Sequence, residues 1–542
     1  MLSWKLDRTL LAPLLNGIYS DTSWPAAIRI VNALLHAGSA FFVFKILRRL
    51  MAGPRVAAFG FVAFLLHPVA CESICWPIER KTLLAGLFAF ASFWIYLRST
   101  TWRGVVLAVL LYACALLSKP SALGLFAMLV VWETLGRPGY SAQFGAPRTL
   151  RSAVLRLIPW TLVTLGGIGI GFKAHSGNLI APPGGNIFTA LLTDVVILWR
   201  YIENFFWPAN LSFYYEVQPV VTITDSRLWL CGLSLLALVS GTLYFTENTK
   251  RRLTLFGWFW FVGALGTNLN LVGLNDLMHD RFIYLSTPGL WLALGLGCAG
   301  LFQRLKSENL TRFAAPGICL AGLFWATFTA QRASVFHDLR PLLEDTVVRQ
   351  PRSATAHLFL ARHYQMLGRR EQEAANREET GKLNLLAANQ FDEGMAAPDF
   401  DRYLSPLQIH LQAGYAYASV GRTQDAARNF AIAFNPPNTM RYAVEDLAKA
   451  KVIQGSMDLQ MKRPKEGLAH FEEALKLDPS LDHVHLLRVQ ALLDLRDQWT
   501  REGKPMEATQ AESIAGQILE QFKEGDPNNP KAQELFRRLR QL

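Results

Sequence analysis

The chain has 542 residues, of which 51% are hydrophobic and only 18% charged, against roughly 25% charged in ordinary soluble proteins. The net charge of +12 is unevenly divided: residues 1–350 hold 29 Lys/Arg and 16 Asp/Glu, residues 351–542 hold 25 and 26. These values exclude a disordered, collagen-like or disulfide-scaffold chain. They place the basic excess in the apolar half, where it reads as the cytoplasmic loops of a membrane protein and not as a nucleic-acid-binding face.

In chain order, apolar stretches near 26–44, 56–74, 82–98, 104–118, 121–135, 155–173, 227–246, 253–274, 282–302 and 313–330 predict ten membrane spans. The fourth and fifth flank Ser118-Lys119-Pro120, a sequence that turns a chain at a membrane edge. The stretch 186–207 carries Asp194, Arg200 and Glu203 and predicts an amphipathic helix at the interface. Basic residues follow every odd-numbered span: Lys45, Arg48, Arg49 and Arg55, then Arg98 and Arg103, then Arg137, Arg148, Arg151 and Arg156, then Lys250 to Arg252, then Arg304, Lys306 and Arg312. Those loops are assigned to the cytoplasm, and the loops at 72–81, 119, 173–226 and 274–281 to the outer side. That register leaves the N-terminus outside, although Lys5 and Arg8 oppose its translocation, so either one more span is expected before residue 1 or residues 1–24 lie at the surface as an amphipathic helix. Cys71 and Cys75 are a weak disulfide candidate, and Cys114, Cys231, Cys298 and Cys319 sit in apolar runs as small hydrophobes.

After residue 335 the apolar runs stop and a helical repeat begins. Gly414, Tyr417, Gly421, Ala426, Phe430 and Ala433, and again Gly455, Gly467, Phe471, Ala474 and Pro479, fit the helix-pair pattern of a tetratricopeptide repeat. Tyr364 and Gly368, then Trp499, Gly503 and Ala508, suggest degenerate repeats on either side, and an insertion at Asn435 to Asn438 accounts for the wide Phe430–Phe471 interval. The fold class is therefore all-α: a polytopic membrane domain over 1–335, then an α-solenoid over 336–542 whose concave face suits extended peptides or partner proteins.

Ionisable residues gather at the outer ends of the spans, where proximity to hydrocarbon makes them costly. They are His67-Pro68, Glu72 and Glu79-Arg80-Lys81, then Lys119, then His279-Asp280-Arg281 with Tyr284. Arg80, Lys81, Lys119 and Arg281 suit a phosphate clamp, or else snorkel to headgroups. Glu72 and Glu79 either neutralise these cations or take a proton from an acceptor hydroxyl. His67 reads more simply as a helix-end residue, and Asp280-Arg281 as a loop-fixing ion pair.

The segments VNALLHAGSAFFVFKILRRL, LLHPVACESICWPIERKTLLAGLF, LLYACALLSKPSALGLF, LWRYIENFFWPANLSFYYE and MHDRFIYLSTPGL resemble, in order, the membrane half of the transmembrane-and-tetratricopeptide-repeat O-mannosyltransferase-like proteins and their bacterial relatives. The resemblance covers most of residues 8–330. It implies a C-type integral-membrane glycosyltransferase, with a polyprenyl-phosphate-linked sugar as donor and a protein or glycan as acceptor, working in a bacterial inner membrane with the repeats in the periplasm. It implies Glu72 and Glu79 as catalytic candidates and His67, Arg80, Lys81, Lys119, Asp280, Arg281 and Tyr284 as substrate-binding ones, and leaves a divalent metal open. The family's acidic pair in the first outer loop has no counterpart in residues 1–24, where Asp7 and Asp21 stand alone. The competing expectation is accordingly a non-catalytic membrane-anchored scaffold for envelope or secretion partners. No inverted repeat supports a transporter.

Overall fold

A computed structural model describes residues 24–50, 53–99, 101–135, 150–175, 181–271, 276–305, 314–400, 406–438, 440, 442–525 and 529–540. Among them every regular element is helical and none is a strand, as the all-α reading expects. The chain divides into two compact units, Met1–Pro351 and Arg352–Leu542. The segment 1–23, with Lys5, Asp7, Arg8 and Asp21, lies outside the described residues, as do Arg137, Arg148, Lys306 and Arg312.

The first unit runs through α1 (Trp24–Arg49), α2 (Pro54–Leu66), α3 (Arg80–Arg98), α4 (Trp102–Ser118), α5 (Leu123–Thr134), α6 (Leu150–His175), α7 (Ile187–Phe206), α8 (Ser226–Phe245), α9 (Arg251–Leu265), α10 (Thr287–Arg304), α11 (Ala314–Ser334) and α12 (Leu339–Arg349). Each apolar stretch becomes a helix, but the expectation of ten spans needs correction. Three described helices are long and apolar enough to cross a membrane: Ile28–Arg49, Ala153–Gly171 and Ser226–Phe245. A fourth exists if α2 and the segment Pro68–Cys75, bent by 47°, form one broken span. The 12 to 17 residues of α2, α4, α5 and α9 reach only about 18–26 Å, short of roughly 30 Å of hydrocarbon. Helix α3 opens on Arg80-Lys81 and closes on Arg98, and α10 is enclosed by protein from Thr287 to Gly297.

Close backbone approach holds this unit together. A Cβ on Gly289 of α10 would lie 2.6 Å from the Gly257 carbonyl oxygen of α9, so the two helices touch through their main chains, as small residues permit in apolar surroundings. Around that contact Phe90, Phe93, Trp132, Phe256 and Trp260 form one buried aromatic core. Helix α7 begins at a capping box, in which the Asn186 side chain accepts from the Thr189 N–H at 2.9 Å. Ala190, Ile197, Tyr201 and Phe205 on one face are buried, while Ile187, Phe188, Leu191 and Phe206 are exposed. The interfacial reading of 186–207 put Asp194 on a wet face. Instead Asp194 is buried and accepts from the Asn270 side chain at 2.9 Å, while apolar side chains stand on both the inner and the outer side of the helix. All six cysteines are free thiols, Cys71 and Cys75 included.

The second unit is a run of antiparallel helix pairs: α13 (Ala354–Glu373) with α14 (Arg377–Ala396), α15 (Pro406–Ser419) with α16 (Thr423–Phe434), α17 (Val444–Gln460) with α18 (Pro464–Leu477), and α19 (Asp482–Arg501) with α20 (Pro505–Gly525), closed by α21 (Pro530–Leu539). Phe430 packs on Gly414, and Phe471 on Gly455, where a Cβ would meet the ring at under 3 Å. Each pair turns on one left-handed residue: Ala375, Gly421, Lys462 and Gly503. After each, the next N–H reaches back to a carbonyl five residues earlier, as in Arg422 to Tyr417 and Arg463 to Asp458. The last three turns are evenly spaced at 41 positions (462 − 421 and 503 − 462). The insertion expected at 435–438 falls within the first of these two intervals, and the second is equally long. In one repeat the extra residues form the connection after Phe434; in the next they lengthen α19 to 20 residues.

Candidate functional site

Three segments distant in sequence meet at one end of the first unit. The turn Pro77–Glu79 delivers Glu79 to the start of α3. Lys119 lies in extended backbone between α4 and the turn Pro120–Ala122, because proline forbids the preceding residue a helical conformation. Asp280–Ile283 forms a short 3-10 turn before α10. Its backbone is anchored by Tyr201 of α7, whose hydroxyl donates to the His279 carbonyl at 3.0 Å and accepts from the His279 N–H at 3.2 Å.

Glu79 is the centre. Its side chain is only 4% exposed and accepts from the Thr82 hydroxyl. It pairs with Lys119 Nζ at 3.1 Å, Lys81 Nζ at 3.5 Å and Arg281 Nε at 3.6 Å. Lys119 also donates to Thr82 Oγ1 at 2.6 Å. Glu72, equally buried, receives the Arg281 guanidinium and, at 3.0 Å, the Arg281 backbone N–H. From Glu72 the network continues to His279, 3.5 Å away, and from His279 Nε2 to Asp276 at 3.2 Å. The Phe282 ring lies beside both Arg281 and Lys119, with centroid distances of 5.3 and 6.0 Å.

The electrostatics follow from this layering. Burial by itself raises the Glu79 carboxyl, but Lys119, Arg281 and the Thr82 hydroxyl outweigh it and hold it down at about 2. A carboxylate so held is a weak base at neutral pH. Asp280 bonds to Tyr215 and not to these cations. Full burial and the charge of Glu72 push it up to about 8, opposed by the Tyr215 hydroxyl that donates to it at 2.8 Å. The carboxylates thus form the floor and the cations the rim, with Lys81 48% exposed and Arg281 18%. Such a rim presents point charges and a guanidinium fork to an anion.

Of the residues singled out in the sequence, Glu72, Glu79, Lys81, Lys119 and Arg281 come together, with Asp280 behind them. Three do not join. Arg80 turns toward α1 and donates to the Asn32 side chain at 3.1 Å and the Ile28 carbonyl. His67 caps the turn Pro68–Ala70, bonds to the Phe205 carbonyl at 2.9 Å and packs among Trp291 and Trp325. Tyr284 is buried against Gly86 and meets His36 Nδ1 at 2.9 Å. All three organise helix contacts. Thr82, Asp276, Tyr215 and Phe282 belong to the site or its support but escaped the sequence reading. Thr82 was legible as the residue after Glu-Arg-Lys, one helical turn from Glu79. The Tyr215 contact with Asp280 spans 65 positions and left no local signal. Among the described residues no group of three or more His, Cys, Asp or Glu gathers as metal ligands.

No family model matches the chain. It is 27% identical over 279 residues to the mouse protein O-mannosyl-transferase TMTC3, covering 48% of this chain and 28% of that protein. With human protein O-mannosyl-transferase TMTC3 it shares 26% over 139 residues (24% and 15% of the two chains). With Tmtc1 of Drosophila melanogaster it shares 24% over 234 residues (38% and 26%). The matches span between 15% and 28% of the relatives' own length. Among solved structures, the human IFIT1 dimer with PPP-AAAA is 14% identical, covering 92% of this chain and 95% of that one, at a TM-score of 0.26. The Cut9–Hcn1 hetero-tetramer of APC/C is 12% identical, covering 98% of each chain, at 0.24. TM-scores this low define no shared architecture. By sequence, over part of its length, the chain is similar to protein O-mannosyl-transferases.

Proposed function

We propose that the chain is an integral-membrane glycosyltransferase that passes a hexose from a polyprenyl-phosphate carrier to a protein or glycan hydroxyl at the extracytoplasmic face. The observation that supports it is the meeting of Lys81, Lys119 and Arg281 on the buried carboxylate of Glu79. In this reading the three cations bind the carrier phosphate and stabilise the negative charge that grows on it as the sugar leaves. Glu72 and Glu79 are positioning residues: they hold the cations in place, and neither serves as the base. The relatives' names make mannose the first sugar to try. Three described helices long and apolar enough to cross a membrane support an integral-membrane chain; in this reading it sits in a bacterial inner membrane with the helical-pair tail in the periplasm, where its surface receives the acceptor protein.

The test is binding of a polyprenyl-phosphate sugar by the full chain in detergent, with Lys81→Ala and Lys119→Ala beside the unaltered protein. Lys81 is half exposed, so its removal leaves the fold intact. Each substitution is expected to weaken binding about tenfold, the size of one charge-assisted contact. Undiminished binding in both variants removes the assignment. A second reading, a non-catalytic membrane scaffold, is favoured by one observation: Glu72 and Glu79 are both engaged by Arg281, and Glu79 also by Lys119. Donor binding without transfer of labelled sugar to any envelope protein decides for it.

A further inference from the structure

A polar groove of about 500 Å³ opens in the second unit between α13 and α15. Helix α13 contributes Arg362, Gln365, Arg369 and Arg370, and α15 contributes Gln408 and Gln412. Spacings of three and four residues place the α13 members along one side of that helix. The floor is pinned by two hydrogen bonds: Arg362 Nε donates to the Gln412 side-chain oxygen at 2.6 Å, and Gln365 donates to the Gln412 carbonyl at 2.9 Å.

Above this floor stand two cations. Arg369 and Arg370 are exposed, and neither is ion-paired with a described carboxylate. Among the described residues Glu373 is the one acidic residue lining the groove, so the two exposed guanidinium groups outnumber the carboxylates beside them. The rest of the unit does not share this bias, since residues 351–542 are balanced at 25 cations and 26 anions. A nucleic acid would require a basic stripe tracking many phosphates, whereas here the charge is confined to one groove. The Gln side chains offer both donors and acceptors, which suits the N–H and C=O groups of an extended backbone. The exposed Met366 adds an apolar contact.

We infer that this groove binds an extended, carboxylate-rich peptide segment, with Arg369 and Arg370 forked onto its Asp or Glu side chains and the glutamines on its main chain. The inference rests on the reading of the tail as a surface that receives a protein, and it is independent of sugar transfer. The experiment titrates the full chain in detergent with a fluorescent Glu-rich peptide, the same peptide with Gln at every Glu, and an oligoadenylate RNA of equal charge. The Glu-rich peptide is expected to bind about tenfold or more tightly than the Gln peptide, and to weaken as salt is raised. An Arg369→Gln/Arg370→Gln double variant should lose that preference, and Arg369→Lys/Arg370→Lys should recover part of it. Equal binding of the two peptides by the unaltered chain overturns the proposal whatever the variants do. So does a preference that survives in the Gln variant, or tighter binding of the RNA. Sugar-donor binding that stays intact while peptide discrimination is absent refutes this site alone, and the converse refutes only the transferase reading.

Discussion

The two cationic sites are built on opposite terms. In the first unit Lys119 and Arg281 arrive with carboxylates already beneath them, Glu79 and Glu72, each buried to within a few per cent. In the second, Arg369 and Arg370 stand in water over amides, with the single carboxylate of Glu373 beside them. The difference is one of dielectric. A cation held among apolar helices must be matched inside the fold, because an unpaired buried charge costs several kcal/mol, while an exposed guanidinium is solvated and can wait for its anion. Built-in pairing makes the first site rigid and its cations inseparable from stability; free solvation leaves the second dispensable to folding.

The largest break in that comparison is Glu79→Ala. It leaves Lys119 and Arg281 short of a buried partner, and thermal unfolding in detergent should show a loss of about 3–5 kcal/mol. Arg370→Ala in the tail should change stability by less than about 0.5 kcal/mol, as for other surface positions. Equal losses at the two sites would end the distinction.

Packing offers a second contrast. Gly289→Ala drives a methyl into the Gly257 carbonyl and should cost about 1–3 kcal/mol through helix separation. Gly421→Ala meets nothing within 4 Å, so only its φ of 78° opposes the change, at about 1 kcal/mol. Chemical denaturation of both variants ranks them, and the reverse order would show that the α9–α10 contact is loose.

The pH dependence sharpens the electrostatic half. The Glu79 carboxyl is depressed from its ordinary 4.5 to about 2 when folded, so between those values the unfolded chain holds the extra proton. Stability should rise with pH across that window, with the benefit fully present above about 4.5 and lost as pH falls through about 2. A Glu79→Gln variant should flatten this limb. Asp280, raised to about 8, contributes oppositely: its share is complete below about 3.8 and is lost as pH rises through about 8. Asp280→Asn should therefore reduce the alkaline loss, read by melting temperature between pH 7 and 9.

The smallest effect lies in the tail's turns. Lys462 takes a left-handed conformation, φ 59°, where the equivalent positions Gly421 and Gly503 are glycine. Lys462→Gly should be close to neutral or stabilising by up to about 1 kcal/mol. A clear loss would mean that the lysine side chain makes a contact outweighing its backbone strain.

What sequence alone determined is what local chemistry determines. Apolar runs located the helices of the first unit, a repeat pattern that includes Gly421 and Gly503 pointed to the helix pairs of the second, and charge at the ends of apolar stretches picked out Glu72, Glu79, Lys81, Lys119 and Arg281. Tertiary structure decided which polar groups face each other, since that depends on helix rotation and on contacts between residues 40 to 209 positions apart. It turned Arg80 to α1, enclosed His67 and Tyr284 in aromatic packing and drew Asp194 inside. It also set the helix lengths, and among the described residues three helices are long and apolar enough to cross a bilayer. Hydropathy records how greasy a segment is, but not whether lipid or neighbouring helices surround it, and only packing distinguishes the two.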